Sequence, residues 1–424
     1  MKNNFNFTLP SLEATKYVLD NGLKVYAFEN KNMDVVRLEF FFESGGTMNQ
    51  NQIYSASSVN SLITEGSSKH SAIEIANTID FYGAFIEKSL DKEGSNVCFY
   101  FLKKHQESLI PCFEEIIKDP VFPQTELETY LQRLRKQFLV NQQRTDHLAR
   151  YNFYELVFGK EHPFGIKGSL EDFDLVERKH LVDFYNSFYS SNKCSIILSG
   201  NIDSGLIALL NRYFGQNDWK DRGEMKEKSL VFSENRRIIK TIDLPSSVQA
   251  SIRIGSKTIS VKEKDYMGLM VLNTLLGGYF GSRLMSNIRE DKGYTYGINS
   301  ILYSFRDVGM FLIGADIKQE NCQDAINEIY IEIEKLQNDL VEDIELERVK
   351  SFMMGNLLRS LDGSFELAEN FRPLLKHGFG SDYYERFLDT ISHITKEEIL
   401  VLAQNYLNIS QMVELRVGNA TIMK

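Results

Sequence analysis

The chain has 424 residues and a formal net charge of −10, with 43% hydrophobic and 25% charged residues. That balance is ordinary for a globular protein of two or more domains with a sizeable core, and without a basic block it excludes a nucleic-acid binder built on a positive face. The longest apolar runs, such as residues 38–42, are strand-sized and too short to cross a bilayer.

The opening residues 1–10 contain no apolar stretch of the kind that directs secretion. Cys98, Cys112, Cys194 and Cys322 are scattered without a C-x-x-C pair, so they read as free thiols of a cytoplasmic protein. Residues 16–29 read as a hairpin turning at Asn21-Gly22. Residues 35–42 form a strongly apolar strand, and 55–66 a helix. A second helix, 71–82, carries Ala72, Ile75, Ala76 and Ile79 at helical spacing, with Ser71 as its cap and Glu74 three positions on. Strands 84–90 and 95–102 follow, then helices 108–118 and 126–143, the latter after Phe122-Pro123. Helix 177–189 feeds a strand, 194–199, that stops at Gly200.

The second half runs through the same order. It has a strand at 248–255, a helix at 266–276, a glycine turn at 277–281 and a helix at 282–292. Strands 294–303 and 308–315 come next, then long helices from Asn321, a helix at 396–407 and a strand at 412–417 that stops at Gly418. Val36 with Gln249, and Gly200 with Gly418, recur at nearly one spacing, which is the mark of a duplicated unit. The expected architecture is α+β: two similar duplicated α/β domains, each a mainly antiparallel sheet packed with helices, in a clamshell arrangement. The expected boundaries are residues 1–216, a polar linker 217–237, and residues 238–424.

Four stretches occur in a meaningful order. They are Leu19-Asp20-Asn21-Gly22-Leu23-Lys24-Val25; Ser44-Gly45-Gly46 and Glu65-Gly66-Ser67 around the first helix; His162-Pro163-Phe164-Gly165; and Gly281-Ser282-Arg283-Leu284 with Ile288-Arg289-Glu290 and Gly293-Tyr294-Thr295-Tyr296. Together, over about residues 21–418, they resemble the pitrilysin/insulinase family of zinc peptidases, which includes the mitochondrial processing peptidases. The resemblance implies an inverted zinc motif, H-x-x-E-H, on the first helix. Two histidines there would bind the metal and the glutamate would serve as base. The five places read Ser57-Ser58-Val59-Asn60-Ser61. The implied third ligand, on a helix opening Phe122-Pro123-Gln124-Thr125-Glu126, falls at Gln137, and a second acidic place falls at Tyr130.

Serine hydroxyls stay protonated near neutral pH, Asn60 cannot take up a proton, and Gln137 offers a weak amide donor. Ser57, Asn60, Ser61 and Gln137 therefore read as a degenerate site, and no cofactor is expected in this chain. As a plain helix face, Ser57 and Ser61 would bond back to the preceding turn. His70, His105, His147, His162, His180, His377 and His393 include no pair at i+3 or i+4 and suit surface or turn roles.

Arg289 and Tyr296, seven positions apart, match the arginine–tyrosine pair of the family's second domain. The resemblance implies that the pair grips the substrate backbone and stabilises the charge of a tetrahedral intermediate. A helix's last turn favours an arginine in any case, and strand tyrosines are common, so the register with Ser282-Arg283-Leu284 and Gly293 carries the functional reading. Tyr294 is a companion on the same strand face. Gly277, Gly278 and Gly281 lack the spacing of a phosphate loop and suit a turn beside a substrate cleft. The expectation is a zinc-free, substrate-binding subunit of a heterodimeric zinc metallopeptidase, inactive alone. A homologous partner would hold the zinc, an extended peptide would be the substrate, and neither nucleic acid nor membrane would take part. The alternative is a non-enzymatic scaffold or peptide-binding subunit, like the core proteins of respiratory complexes.

Overall fold

A tight turn starts the first sheet. Gly22 has φ +88, and the Leu19 N–H donates to the Leu23 carbonyl at 2.9 Å. The flanking strands β1 (Thr15–Val18) and β2 (Lys24–Glu29) therefore pair antiparallel, with Val18 opposite Lys24. The computed structural model describes residues 12–219, 223 and 225–423. The first half continues with β3 (Val35–Phe42), β4 (Phe85–Leu90), β5 (Ser95–Leu102) and β6 (Cys194–Gly200). The second half has β7 (Ile238–Asp243), β8 (Gln249–Thr258), β9 (Thr295–Ser304), β10 (Gly309–Lys318) and β11 (Val413–Gly418).

The strand orders are β1-β2-β6-β3-β5-β4 and β7-β11-β8-β10-β9. With β1 set aside, the two sheets are the same. β2 runs parallel to β6 and β7 to β11, and the remaining neighbours are antiparallel. The register repeats as well, because Gly200 faces Glu29 and Gly418 faces Asp243. The expected duplication is present. β3 and β5 are almost wholly buried, which explains their near-continuous apolar character.

Each sheet is covered on one side by helices from its own half. On the other side the halves exchange a helix. Thr145–Phe158 lies across β8 and β11, where Leu148, Phe153 and Val157 share a core with Met310, Leu312 and Leu415. Its counterpart Ser364–His377 lies across β2 and β6, where Ala368 joins Phe28 and Ile197. Phe371 on that helix places its ring 5.0 Å from Tyr26 and 5.3 Å from Phe28.

Local signals were met closely at some elements. Helix Ala72–Phe81 begins with the reciprocal cap between Ser71 and Glu74. The first helix is shorter than expected, Ser55–Leu62, and Gly66 lies beyond it at φ +114. Around the glycine turn the chain is wound more widely than an α-helix, with π-type stretches at Thr274–Gly278 and Met285–Asp291. Among the described residues, no helix is long and apolar enough to cross a membrane.

Candidate functional site

Helix Ser55–Leu62 leans on helix Gln124–Asn141, and three of the sequence-predicted positions meet there. The Ser57 hydroxyl donates to the Tyr54 carbonyl at 3.0 Å, as expected of a plain helix face. Ser61 does not bond back in this way. Its hydroxyl donates to the Tyr130 phenol at 3.0 Å, because a buried tyrosine from the neighbouring helix comes within reach first. The same phenol donates to the Ser57 carbonyl at 3.3 Å. Asn60 is buried and turns to the sheet, where its amide donates to the Asn96 carbonyl on β5 at 3.2 Å. Gln137 stays apart. It is exposed, two turns along from Tyr130, and bonds Asn141 at 3.0 Å.

Two cations complete the cleft, and the pattern of the sequence had not singled them out. Lys88, on β4, donates to the Ser61 carbonyl at 2.6 Å and to the Thr64 hydroxyl at 2.8 Å. The Arg133 guanidinium lies over the Tyr130 ring, 5.4 Å from its centroid. Burial pushes the Lys88 pKa down, and Arg133 adds to that against the opposing pull of Glu65. Among the described residues, no three His, Cys, Asp or Glu side chains gather as a metal site. Hydroxyls, amides and a phenol beside an ammonium do not suit zinc, which takes imidazole, thiolate or carboxylate. No catalytic step through a metal follows from this cleft.

The second candidate region lies at the edge of the other sheet, where the Met285–Asp291 helix rests on β9. Arg289 occupies the last turn. Gly293, at φ +64, reverses the chain so that the Tyr294 N–H donates to the Ile288 carbonyl at 3.0 Å. The Arg289 guanidinium stacks over Phe280, 4.7 Å from the ring centre. Tyr296, the second residue of edge strand β9, is 90% exposed. Tyr294 is not its companion on the strand. It precedes β9 and is half-buried against the second core, since the chain is still leaving the helix there. Arg283 has a separate duty, a two-pronged bond to Glu345 at 2.8 Å for each contact. Gly277 is needed for close approach, because a Cβ there would stand 2.6 Å from the Ser300 nitrogen. Phe280 was missed by motif reading, although an aromatic in a glycine turn beside an arginine helix is a usable signal.

The H-P-F-G turn is buried between the halves. His162 accepts the Phe164 N–H at 3.0 Å and stacks on Phe158, while Phe164 packs against Phe305 with ring centres 4.5 Å apart. That is a turn histidine, as expected, in a buried setting.

Residues 176–353 match the family model described as the peptidase M16 inactive domain, a span that holds Arg289 and Tyr296. Over that span the chain carries an M16 peptidase-family domain. Among M16 relatives, the "Uncharacterized zinc protease YmxG" of Bacillus subtilis is 25% identical over 82% of this chain and 85% of its own. The "Probable inactive metalloprotease YmfF" of the same organism is 23% identical over 76% and 79%. The "Mitochondrial-processing peptidase subunit beta" of Mus musculus is 23% identical over 85% and 75%. The likeness in fold extends over nearly all of the chain: the crystal structure of a peptidase M16 inactive domain from Pseudomonas fluorescens superposes with a TM-score of 0.87. That superposition is at 21% identity and covers 97% of this chain and 99% of that one.

Proposed function

We propose that this chain is the zinc-free, substrate-binding subunit of a two-chain M16 metallopeptidase, inactive by itself. One observation carries the reading. The first-half cleft is filled by Ser57, Ser61, Tyr130 and Lys88, whereas the second half still presents Arg289 on a fixed helix end and Tyr296 on an open edge strand. A homologous partner would hold the zinc. Arg289 and Tyr296 would then supply a guanidinium and a phenol to an extended peptide lying between the two chains. The mouse relative's name, a processing-peptidase subunit, supports a shared enzyme, and YmfF's name supports a member without activity. The free thiols Cys98, Cys112, Cys194 and Cys322 support a reducing, cytoplasmic setting. The division into residues 1–216, 217–237 and 238–424 belongs to the same proposal, each half being one copy of the duplicated unit.

The test is reconstitution with an H-x-x-E-H chain of similar size. The complex should cleave an unfolded polypeptide, neither chain should do so alone, and Arg289→Ala should lower kcat by about 100-fold or more. Unchanged kinetics in the variant would remove Arg289 from the chemistry. Capture of this chain in a larger assembly without peptidase activity would favour the scaffold reading.

A further inference from the structure

We propose that the first-half cleft has been rebuilt rather than merely emptied: Tyr130 and Lys88 form a hydrogen-bonded strut that closes the place of the metal. Putting back the lost ligands alone would therefore not restore metal binding. The inference rests on the family counterpart of helix Ser55–Leu62, but it makes no use of the partner subunit.

Three observations converge. The Tyr130 phenol accepts from Ser61 and donates to the Ser57 carbonyl, so one oxygen ties together both places where the family motif has its histidines. Tyr130 is 7% exposed and its ring belongs to the first core, so the phenol cannot swing aside without opening a hole in that core. Lys88 reaches in from β4, and its ammonium holds the Ser61 carbonyl near the end of the helix. Arg133 adds a second positive charge above the Tyr130 ring. An incoming dication would displace the phenol and sit within a few ångströms of Lys88 in a partly dry site, where like charges repel strongly. The three parts come from the first strand of the β4–β5 hairpin, a short helix and a long helix. In this arrangement a tyrosine–serine bridge holds two helices in the position that a shared metal would otherwise fix.

The experiment grafts the motif in two stages on the full chain and measures bound metal after dialysis against zinc, with cobalt absorption as a second readout. S57H/N60E/S61H/Q137E is expected to retain only a trace of metal. Adding Y130E and K88M is expected to raise retention to about one zinc per chain, with the spectrum of a tetrahedral cobalt site. Full zinc loading by the first variant would overturn the proposal, and so would failure of the second variant to load while folded. A milder change guards against misfolding. Tyr130→Phe removes only the hydroxyl and should speed amide exchange across residues 55–62 by about 10-fold. Unaltered exchange there would show that the bridge holds nothing. A failed graft leaves the subunit reading to be judged by the kinetics of the two-chain complex.

Discussion

Arg372 donates to the carboxylate of Glu39 at 2.6 Å, from a helix of the second half to a strand of the first. Glu39 is fully buried on β3 and also bonds Arg37 at 2.6 Å and the Asn96 amide at 2.6 Å. Burial alone would raise its pKa. The two guanidiniums and their hydrogen bonds outweigh that and hold the carboxyl below its ordinary value. Lys376, one turn further along the same exchanged helix, reaches Glu93 at 2.9 Å. The exchanged helix is thus fastened by charge as well as by its apolar face.

Removing the shared carboxylate should be costly. Glu39→Ala leaves Arg37, 2% exposed, without a counter-ion and should destabilise the chain by about 3–5 kcal/mol. Arg372→Ala keeps the Arg37–Glu39 pair and should cost less, about 1–2 kcal/mol, because its side chain is one-third exposed. Urea unfolding of both variants checks this, and equal losses would refute the central place given to Glu39.

His162 gives a pH dependence with a defined sign. Burial first, then the charges of Lys257 and Lys92, bring its pKa down to about 4 from 6.5. The folded state holds it neutral, so its contribution is complete above pH 6.5 and is lost as pH falls from 6.5 towards 4. The loss reaches at most about 3 kcal/mol. His377 is lowered in the same direction, to about 4, and remains in the variant. His162→Asn should therefore flatten the stability profile between pH 6.5 and 5 without abolishing it. A variant profile parallel to the parent's would be the contrary result.

Separating the halves should expose two sheet faces. Without residues 238–424 the face of β2 and β6 loses Ala368 and Phe371, and without residues 1–216 the face of β8 and β11 loses Phe153 and Val157. Each half produced alone should bind a hydrophobic dye and unfold without a sharp transition. Co-expressed, they should copurify and regain one cooperative unfolding. A sharp transition in either lone half would contradict the exchange.

Gly277 and Gly297 form a matched pair on facing elements. A Cβ at 277 would stand 2.6 Å from the Ser300 nitrogen, while one at 297 would meet nothing within 4 Å. Gly277→Ala should cost about 2 kcal/mol and push the π-type turn off β9, whereas Gly297→Ala should be near neutral. Thermal unfolding of the two variants decides it. Comparable melting points would mean that the close approach is not a constraint.

Local rules made much of this protein legible before any coordinates. The Asn21-Gly22 turn, the Ser71–Glu74 cap and the apolar 35–42 strand each depend on near neighbours in the chain, and the structure places all three where those rules put them. The repeat was equally visible, because both copies keep the same order of strands and helices. The expectation of a degenerate zinc site at Ser57, Asn60, Ser61 and Gln137 came from the family resemblance together with residue chemistry, since serine, asparagine and glutamine lack the donors that zinc requires.

The destination of each side chain was decided only in three dimensions. Periodicity shows that helices 145–158 and 364–377 own an apolar face, but not whose sheet that face will cover. That depends on which sheet surface is still open once the nearer helices have packed. Ser61 turned from its own helix to Tyr130, and Gln137 was left in solvent, because the spacing between two helices and the reach of one phenol settle who meets whom. Chain order alone thus carried the family resemblance and the duplicated fold. The exchanged helices, the Glu39 network and the Tyr130–Lys88 closure arose from packing between elements far apart in sequence.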